Sequence, residues 1–400
     1  MNKLYLITGV VFLYLCACNP GRRYEYTEEV DHKPYTIDIR NVKYSNIPQM
    51  LSSFVDSIEY IRIEEEPLIP DLWNVHIAED DTGNIYLDFA ELFKYDSTGK
   101  FIKPLFKKGN GPGEIIAKNE RAVYDMKKEL VYVPNVGVGY NLYTLDGEFV
   151  ERIDNRLGTF NRNLIAFWNN CTVSYLYDNK FPQKGESVNM DSTFFLQVHK
   201  RDKIVYQLPN WNFDVKSIYP GRGVVEYPTG SVLTGSVNDS LFWMKPLYVD
   251  TVYCATGWDD VRIFYIIQKS DRAADYDWSV RARVGNITKT EAFKEMLGPV
   301  CSLKSGLLFS YSFNKDKQGV GFCPANGKCN VISRYFKNDI DEYCPTLDLY
   351  KIVSYGTYFQ KNNYLYILVD AFKFLEEGTR SPFTDLKEDS NPILVKLRLK

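Results

Sequence analysis

Two stretches in the first half of the chain follow one plan, and that repeat limits the possible folds more than any other feature. Asn84-Ile-Tyr-Leu-Asp leads to Phe93-Lys-Tyr-Asp-Ser-Thr-Gly-Lys-Phe-Ile102, and Glu129-Leu-Val-Tyr-Val leads to Leu142-Tyr-Thr-Leu-Asp-Gly-Glu-Phe-Val150. Tyr86 aligns with Tyr132 at an offset of 46, and Gly99 with Gly147 at an offset of 48. Each unit reads as a strand, a gap, a second strand, a tight turn and a third strand. Phe93 and Tyr95, like Leu142 and Thr144, show the period of two expected of a half-buried strand. The glycine supplies the positive φ of the turn.

Strand-built repeats of about 40–50 residues point to a β-propeller, in which small sheets stack radially because none can cover both faces alone. Weaker copies follow at Asp239-Ser-Leu-Phe-Trp with Asp250-Thr-Val-Tyr-Cys, and at Asn363-Tyr-Leu-Tyr-Ile-Leu-Val369. The alternating Ile393, Val395, Leu397 and Leu399 predict a last strand that closes the ring with an N-terminal strand, for which Thr36-Ile-Asp-Ile-Arg40 is the candidate. Short helices are expected at Pro48–Val55 and Thr290–Leu297. The 30 Tyr and 24 Phe also favour strands. An antiparallel sandwich is the competing architecture, and periodicity alone leaves the blade number open between six and eight.

Lys107-Lys-Gly-Asn-Gly-Pro-Gly-Glu114 lies between the two repeat units. Its spacing is not that of a dinucleotide fingerprint, Pro112 has no N–H for a phosphate, and Glu114 stands where a Walker loop needs lysine. Pro112-Gly113 fits the centre of a type II turn. Gly109, Gly111, Pro112, Gly113 and Glu114 are therefore read as an inter-blade corner.

The N-terminus places Lys3 before an apolar run, Leu4 to Ala17, too short to span a bilayer. Leu15-Cys16-Ala17-Cys18 resembles a bacterial lipobox, which implies cleavage before a lipidated Cys18 and a stable anchor. The expected organisation is a signal peptide at 1–17, a lipidated and flexible tether at 18–34, and one propeller domain at 35–400. With no acidic run after Cys18, the expected location is the outer membrane, facing the periplasm. Cleavage shifts the net charge from −3 to about −4, and no basic patch suggests a nucleic acid partner.

Three scattered histidines, at 32, 76 and 199, have no metal-ligand spacing, and neither a metal nor a cofactor is expected. Six cysteines remain in the mature chain: Cys171, Cys254, Cys301, Cys323, Cys329 and Cys344. Cys323 and Cys329 flank an Asn326-Gly327 turn signal. If those two residues form the turn, Cys329 faces Pro324, so a disulfide needs a bulge there; buried free thiols are the alternative. Asp80-Asp-Thr-Gly-Asn84 resembles part of a calcium loop but lacks its bidentate Glu and reads as a solvated turn, and Glu64-Glu-Glu66 is a second acidic cluster. Trp211 and Phe213, or Trp168 with Tyr175 and Tyr177, are candidate stacking platforms that compete with plain core. Tyr219, Arg222 and Arg380 lie in loops that could reach a ligand on one face.

Phe54-Val-Asp-Ser-Ile-Glu-Tyr-Ile-Arg-Ile63, the turn at 93–102, the Gly-rich corner, Tyr143-Thr-Leu-Asp-Gly-Glu-Phe-Val150 and Asp389-Ser-Asn-Pro-Ile-Leu-Val-Lys-Leu-Arg-Leu399 together resemble a family of six-bladed β-propeller lipoproteins of Gram-negative anaerobes, related to NHL-repeat propellers. The resemblance implies an all-β fold of six four-stranded antiparallel blades. It implies no reaction. Arg62-Ile-Glu-Glu-Glu66 departs from the family's usual stretch. The expected role is a lipid-anchored scaffold that binds a glycan, a peptide or an envelope protein. An NHL-like lyase or hydrolase is the alternative.

Overall fold

The computed structural model describes residues 33–69, 71–72, 75–118, 121–135, 139–154, 161–177, 194–200, 203–209, 232–238, 241–246, 249–274, 295–343, 345–376 and 380–400. Over these residues the chain is nearly all β. Six antiparallel sheets follow one another along it. Sheet one holds His76–Glu79, Ile85–Asp88, Leu92–Tyr95 and Phe101–Pro104; sheet two holds Val123–Asp125, Leu130–Asn135, Gly139–Thr144 and Phe149–Asp154. Sheet three runs from Asn161–Trp168 through Cys171–Tyr177 and Phe194–Lys200 to Lys203–Pro209. Sheet four is built on Val232–Asn238, Leu241–Pro246, Thr251–Gly257 and Asp260–Gln268. Met296–Leu303, Gly306–Ser312, Gln318–Pro324 and Val331–Ser333 make sheet five, and Tyr358–Lys361, Tyr364–Val369 and Ile393–Leu399 make most of sheet six.

Neighbouring sheets bury faces against one another. In sheet one, Tyr86 and Leu92 pack with Val131 and Tyr143 of sheet two, while Ile85, Leu87, Phe93 and Tyr95 pack with Tyr366, Leu368 and Leu394 of sheet six. The strands at 85–88 and 92–95 are therefore buried throughout, not half-buried as their alternation predicted. The polar residue Lys94 sits at a buried position because its ammonium donates to Leu145 O and Asp146 of sheet two. Tyr132 stacks on Phe167 across sheets two and three at 5.8 Å. Trp168 and Phe242 share a core between sheets three and four, and one large cluster joins sheets four, five and six. The first strands of sheets six and one approach each other, as do those of two and three, and of four with both five and six.

The N-terminal segment extends three of these sheets. Tyr35–Asp38 adds parallel to Tyr265–Gln268 of sheet four, and Lys43–Ser45 adds parallel to Val331–Ser333 of sheet five. Val55–Arg62 then pairs antiparallel with Ile393–Leu399 as the fourth strand of sheet six. The partner of the last strand is thus Val55–Arg62, not Thr36–Arg40. Eight residues satisfy the whole length of the final strand, whereas the stretch at 36–40 is already clasped by sheet four.

Helices are short. Leu51–Ser53 is a 3-10 turn, and Met296 and Leu297 open a strand instead of closing a helix. Leu349–Ser354 is an α-helix whose N-cap Asp348 accepts from Lys351 N. No helix among the described residues is long and apolar enough to cross a membrane. Cys171, Cys254, Cys301, Cys323 and Cys329 are buried, and this structure holds each of them in the unbonded thiol form.

Candidate functional site

Asp88 ends the second strand of sheet one and lies directly across from His76, the first residue of its first strand. The carboxylate is fully buried. It accepts from Ala122 N at 2.7 Å and pairs with the Lys118 ammonium at 2.5 Å. Lys118 also donates to Phe89 O. Asp88 therefore pins the segment that carries the chain from sheet one to sheet two. Burial pushes its carboxyl above the ordinary range, with Lys118 and the Ala122 N–H pulling it back.

The same segment brings Arg121 to the first strand of sheet two. Its charge acts on three groups of two sheets: it depresses His76 and favours ionised Asp88 of sheet one, and eases the Tyr358 hydroxyl on the first strand of sheet six. His76 is held down at about 4, first by burial and then by Arg121 and Lys118, so its imidazole is neutral at ordinary pH. Burial pushes Tyr358 up to about 12, beside Cys301 of sheet five. The Tyr124 ring lies 5.6 Å from that of Tyr86, and its buried hydroxyl has no hydrogen-bond partner among the described residues. Lys361, three residues beyond Tyr358, donates to the carbonyls of Glu79 and Asp80 and so ties sheet six to sheet one. The first strands of sheets one and six thus carry a neutral imidazole and a phenol that both respond to one guanidinium. Such a set can hold an anion through charge-assisted hydrogen bonds.

None of these residues was a candidate from sequence. His76 stood out only as one of three isolated histidines, and Lys118 and Arg121 carry no motif. Of the residues the sequence did single out, Cys18, Trp211, Phe213, Tyr219 and Arg222 lie outside the described residues. Arg380 is exposed and pairs with Glu342 at 2.5 Å, next to Asp341, whose carboxylate accepts from Tyr60 on the fourth strand of sheet six. That strand is the one farthest in sheet order from Tyr358. Trp168 is core: it packs edge-on against Trp258 at 5.1 Å and beside Phe242, and is not a platform.

The Gly-rich stretch closes on itself. Glu114 N donates to Gly111 O, Gly113 has φ +73°, and the Glu114 carboxylate accepts from Gly111 N at 2.8 Å. The Tyr143 hydroxyl donates to Gly113 O and Asn141 to Glu114 O, fastening the loop to sheet two. The N–H that a phosphate would need at Gly111 is already used by Glu114. Asp80 likewise serves its own turn, accepting from Thr82, Asn84 and Tyr86. Glu64 accepts from Phe101 N, and Glu65 pairs with Arg62.

A family model described as a domain of unknown function, DUF4934, matches residues 34–398. No curated protein matches the chain. Among solved structures, BF0058 of Bacteroides fragilis NCTC 9343, assigned as an exported protein, is 12% identical. The match covers 92% of this chain and 100% of that one, with a TM-score of 0.60. A member of the DUF4221 family from Bacteroides vulgatus ATCC 8482 is 11% identical over 86% of this chain and 97% of that one, with a TM-score of 0.49. With nearly its whole described length matched by that one family model, this chain belongs to the DUF4934 family.

Proposed function

We propose that this protein is an exported, lipid-anchored component of the cell envelope, folded as a six-bladed β-propeller, that binds an anionic ligand or partner where its first strands converge. The six blades are the six sheets, each packed against the next, with the first strands innermost. Val55–Arg62 beside Ile393–Leu399 closes the ring. Export is supported by the signal-like N-terminus with its lipobox resemblance at Cys18, and by the assignment of BF0058, which shares the fold. The location is the outer membrane, facing the periplasm, with the body beginning near residue 35 after a tether. Trp211, Phe213, Tyr219 and Arg222 are ligand contacts in this reading, and Gly109 to Glu114 an inter-blade corner.

The observation that carries the reading is the meeting of the first strands of sheets one and six, with the charge of Arg121 acting on His76 and Asp88 of the one and Tyr358 of the other. A lyase or hydrolase working at this point would need a base poised near neutral pH, and His76 at about 4 is a weak one. The ligand class is therefore a carboxylate-bearing glycan or an acidic peptide, bound and not transformed.

Thermal-shift screening of the purified chain against acidic glycans and peptides, each beside its neutral counterpart, tests this. The expected result is a shift with the acidic member only, lost in Arg121→Gln. Shifts by neutral ligands that Arg121→Gln leaves intact would overturn it. A stoichiometric metal in elemental analysis would favour the enzyme instead.

A further inference from the structure

The hairpin at 323–329 departs from a regular two-residue turn. Asn326 takes the left-handed conformation at φ 57°, and Gly327–Lys328 then leaves the hairpin to pair in parallel with Ile37–Asp38. That excursion changes where Cys329 points. In a regular ladder continued from the Val320–Ser333 pair, Cys329 would sit across from Pro324, on the opposite strand face to Cys323. Its Sγ instead lies 3.0 Å from where a Cβ on Gly321 would be. Gly321 and Cys323 are two residues apart on one unbroken strand and share a face. The Cys329 thiol donates to Val331 O at 3.3 Å. The irregular turn needed to bring the two cysteines to one face is present.

We propose that Cys323 and Cys329 form a disulfide that latches the N-terminal strand of the body. The strand Tyr35–Asp38 is gripped on one side by Tyr265–Gln268 and on the other by this hairpin. Thr36 N donates to the Asn326 side-chain carbonyl at 2.9 Å, and Cys329 N donates to Asp38 O at 3.0 Å. Any pull from the N-terminal side reaches the body first through this clasp, and the bond fixes its second jaw.

The chemistry is thiol–disulfide exchange with a protein or glutathione disulfide. One cysteine thiolate attacks the donor disulfide and expels one donor thiolate. The second cysteine attacks the mixed disulfide and expels the other, so two cysteine thiols and one donor disulfide become one cystine and two donor thiols. In the folded dithiol both groups are buried, with Cys329 pushed up to about 11 and Cys323 to about 12. Thiolate is then scarce, so the bond forms before the hairpin seats.

The test is peptide mapping of the full chain, refolded with oxidised glutathione and, separately, exported by an oxidising host. Trypsin cuts after Lys328, between the two cysteines, so the bond yields a linked pair of peptides, 318–328 with 329–334. The expected result is that pair in both preparations, absent when the already folded dithiol protein is given the same glutathione. Dithiothreitol should lower the thermal midpoint of the linked form by several degrees, and Cys323→Ser with Cys329→Ser should abolish that sensitivity. Free thiols at both positions after refolding, or either cysteine joined to another partner, would overturn the latch. The refolding arm does not depend on export, so it separates failure of the latch from failure of the envelope assignment.

Discussion

Lys118 and Asp88 form an ion pair at 2.5 Å from which water is almost wholly excluded: the Lys118 side chain is 6% exposed and that of Asp88 is 0%. Breaking such a pair from one side leaves an uncompensated buried charge. Lys118→Met is expected to destabilise the fold by about 3–5 kcal/mol. Lys118→Met with Asp88→Asn should recover part of that loss. Urea unfolding of the single and double variants checks it; equal losses in both would show that the pair carries no such penalty.

His76 gives a pH dependence with a definite sign. Its folded value of about 4 lies below the ordinary value of 6.5, so the unfolded chain binds more protons between them. Stability then falls as pH drops from about 6.5 to 4, by about 3 kcal/mol in total for a shift of this size. His76→Asn should flatten that part of the stability profile, measured by thermal unfolding across the range. An unchanged slope would mean that other groups carry it.

Lys245 of sheet four is buried, with its ammonium donating to Pro246 O, and burial depresses it to about 7. A lysine with a lowered folded value costs stability most where it must be charged. Stability should therefore rise from pH 7 towards the ordinary lysine value of 10.5. Lys245→Met removes the desolvation cost and is expected to raise the thermal midpoint at pH 7 while weakening that rise. A lower midpoint at pH 7 would contradict this.

Two glycines with similar backbone angles should respond very differently to a methyl group. Gly99 has φ +87°, and a Cβ there would meet Arg62 O at 2.0 Å; Gly356 has φ +71° with nothing within 4 Å. Gly356→Ala is expected to cost only the left-handed penalty, about 1–2 kcal/mol. Gly99→Ala must also displace the strand at Arg62 and weaken the hydrogen bond from Glu64 N to Gly99 O, so its loss should be clearly larger. Equal losses in denaturant unfolding would remove the close approach as the cause.

The N-terminal segment should matter in steps. A chain beginning at residue 47 loses the strands added to sheets four and five but keeps Val55–Arg62, and is expected to fold with a lowered midpoint. A chain beginning at residue 64 loses the fourth strand of sheet six and exposes Ile393, Val395 and Leu397, which are fully buried. It should fail to give a cooperative transition by circular dichroism.

How much of this was legible beforehand follows from the range of the interactions involved. The strands at 84–88, 93–95, 130–133 and 142–144, their glycine turns and the final strand at 393–399 are set by neighbours a few residues away, and period and turn chemistry display them directly. The Gly-rich loop is local in the same sense, since Glu114 answers the N–H of Gly111 within its own loop. Burial on both faces was not legible, because the same apolar and aromatic residues serve whether one or two neighbouring sheets cover a strand. The partner of the last strand was not either: Val55–Arg62 and the stretch at 36–40 both read as strands, and only the assembled sheets decide which edge each one fills. The cluster of His76, Asp88, Lys118 and Arg121 depends on that same assembly. Residues spread over 46 positions meet because sheet one ends beside the start of sheet two, and the shifted protonation of His76 and Asp88 comes from burial and neighbouring charge, which no single stretch of chain carries.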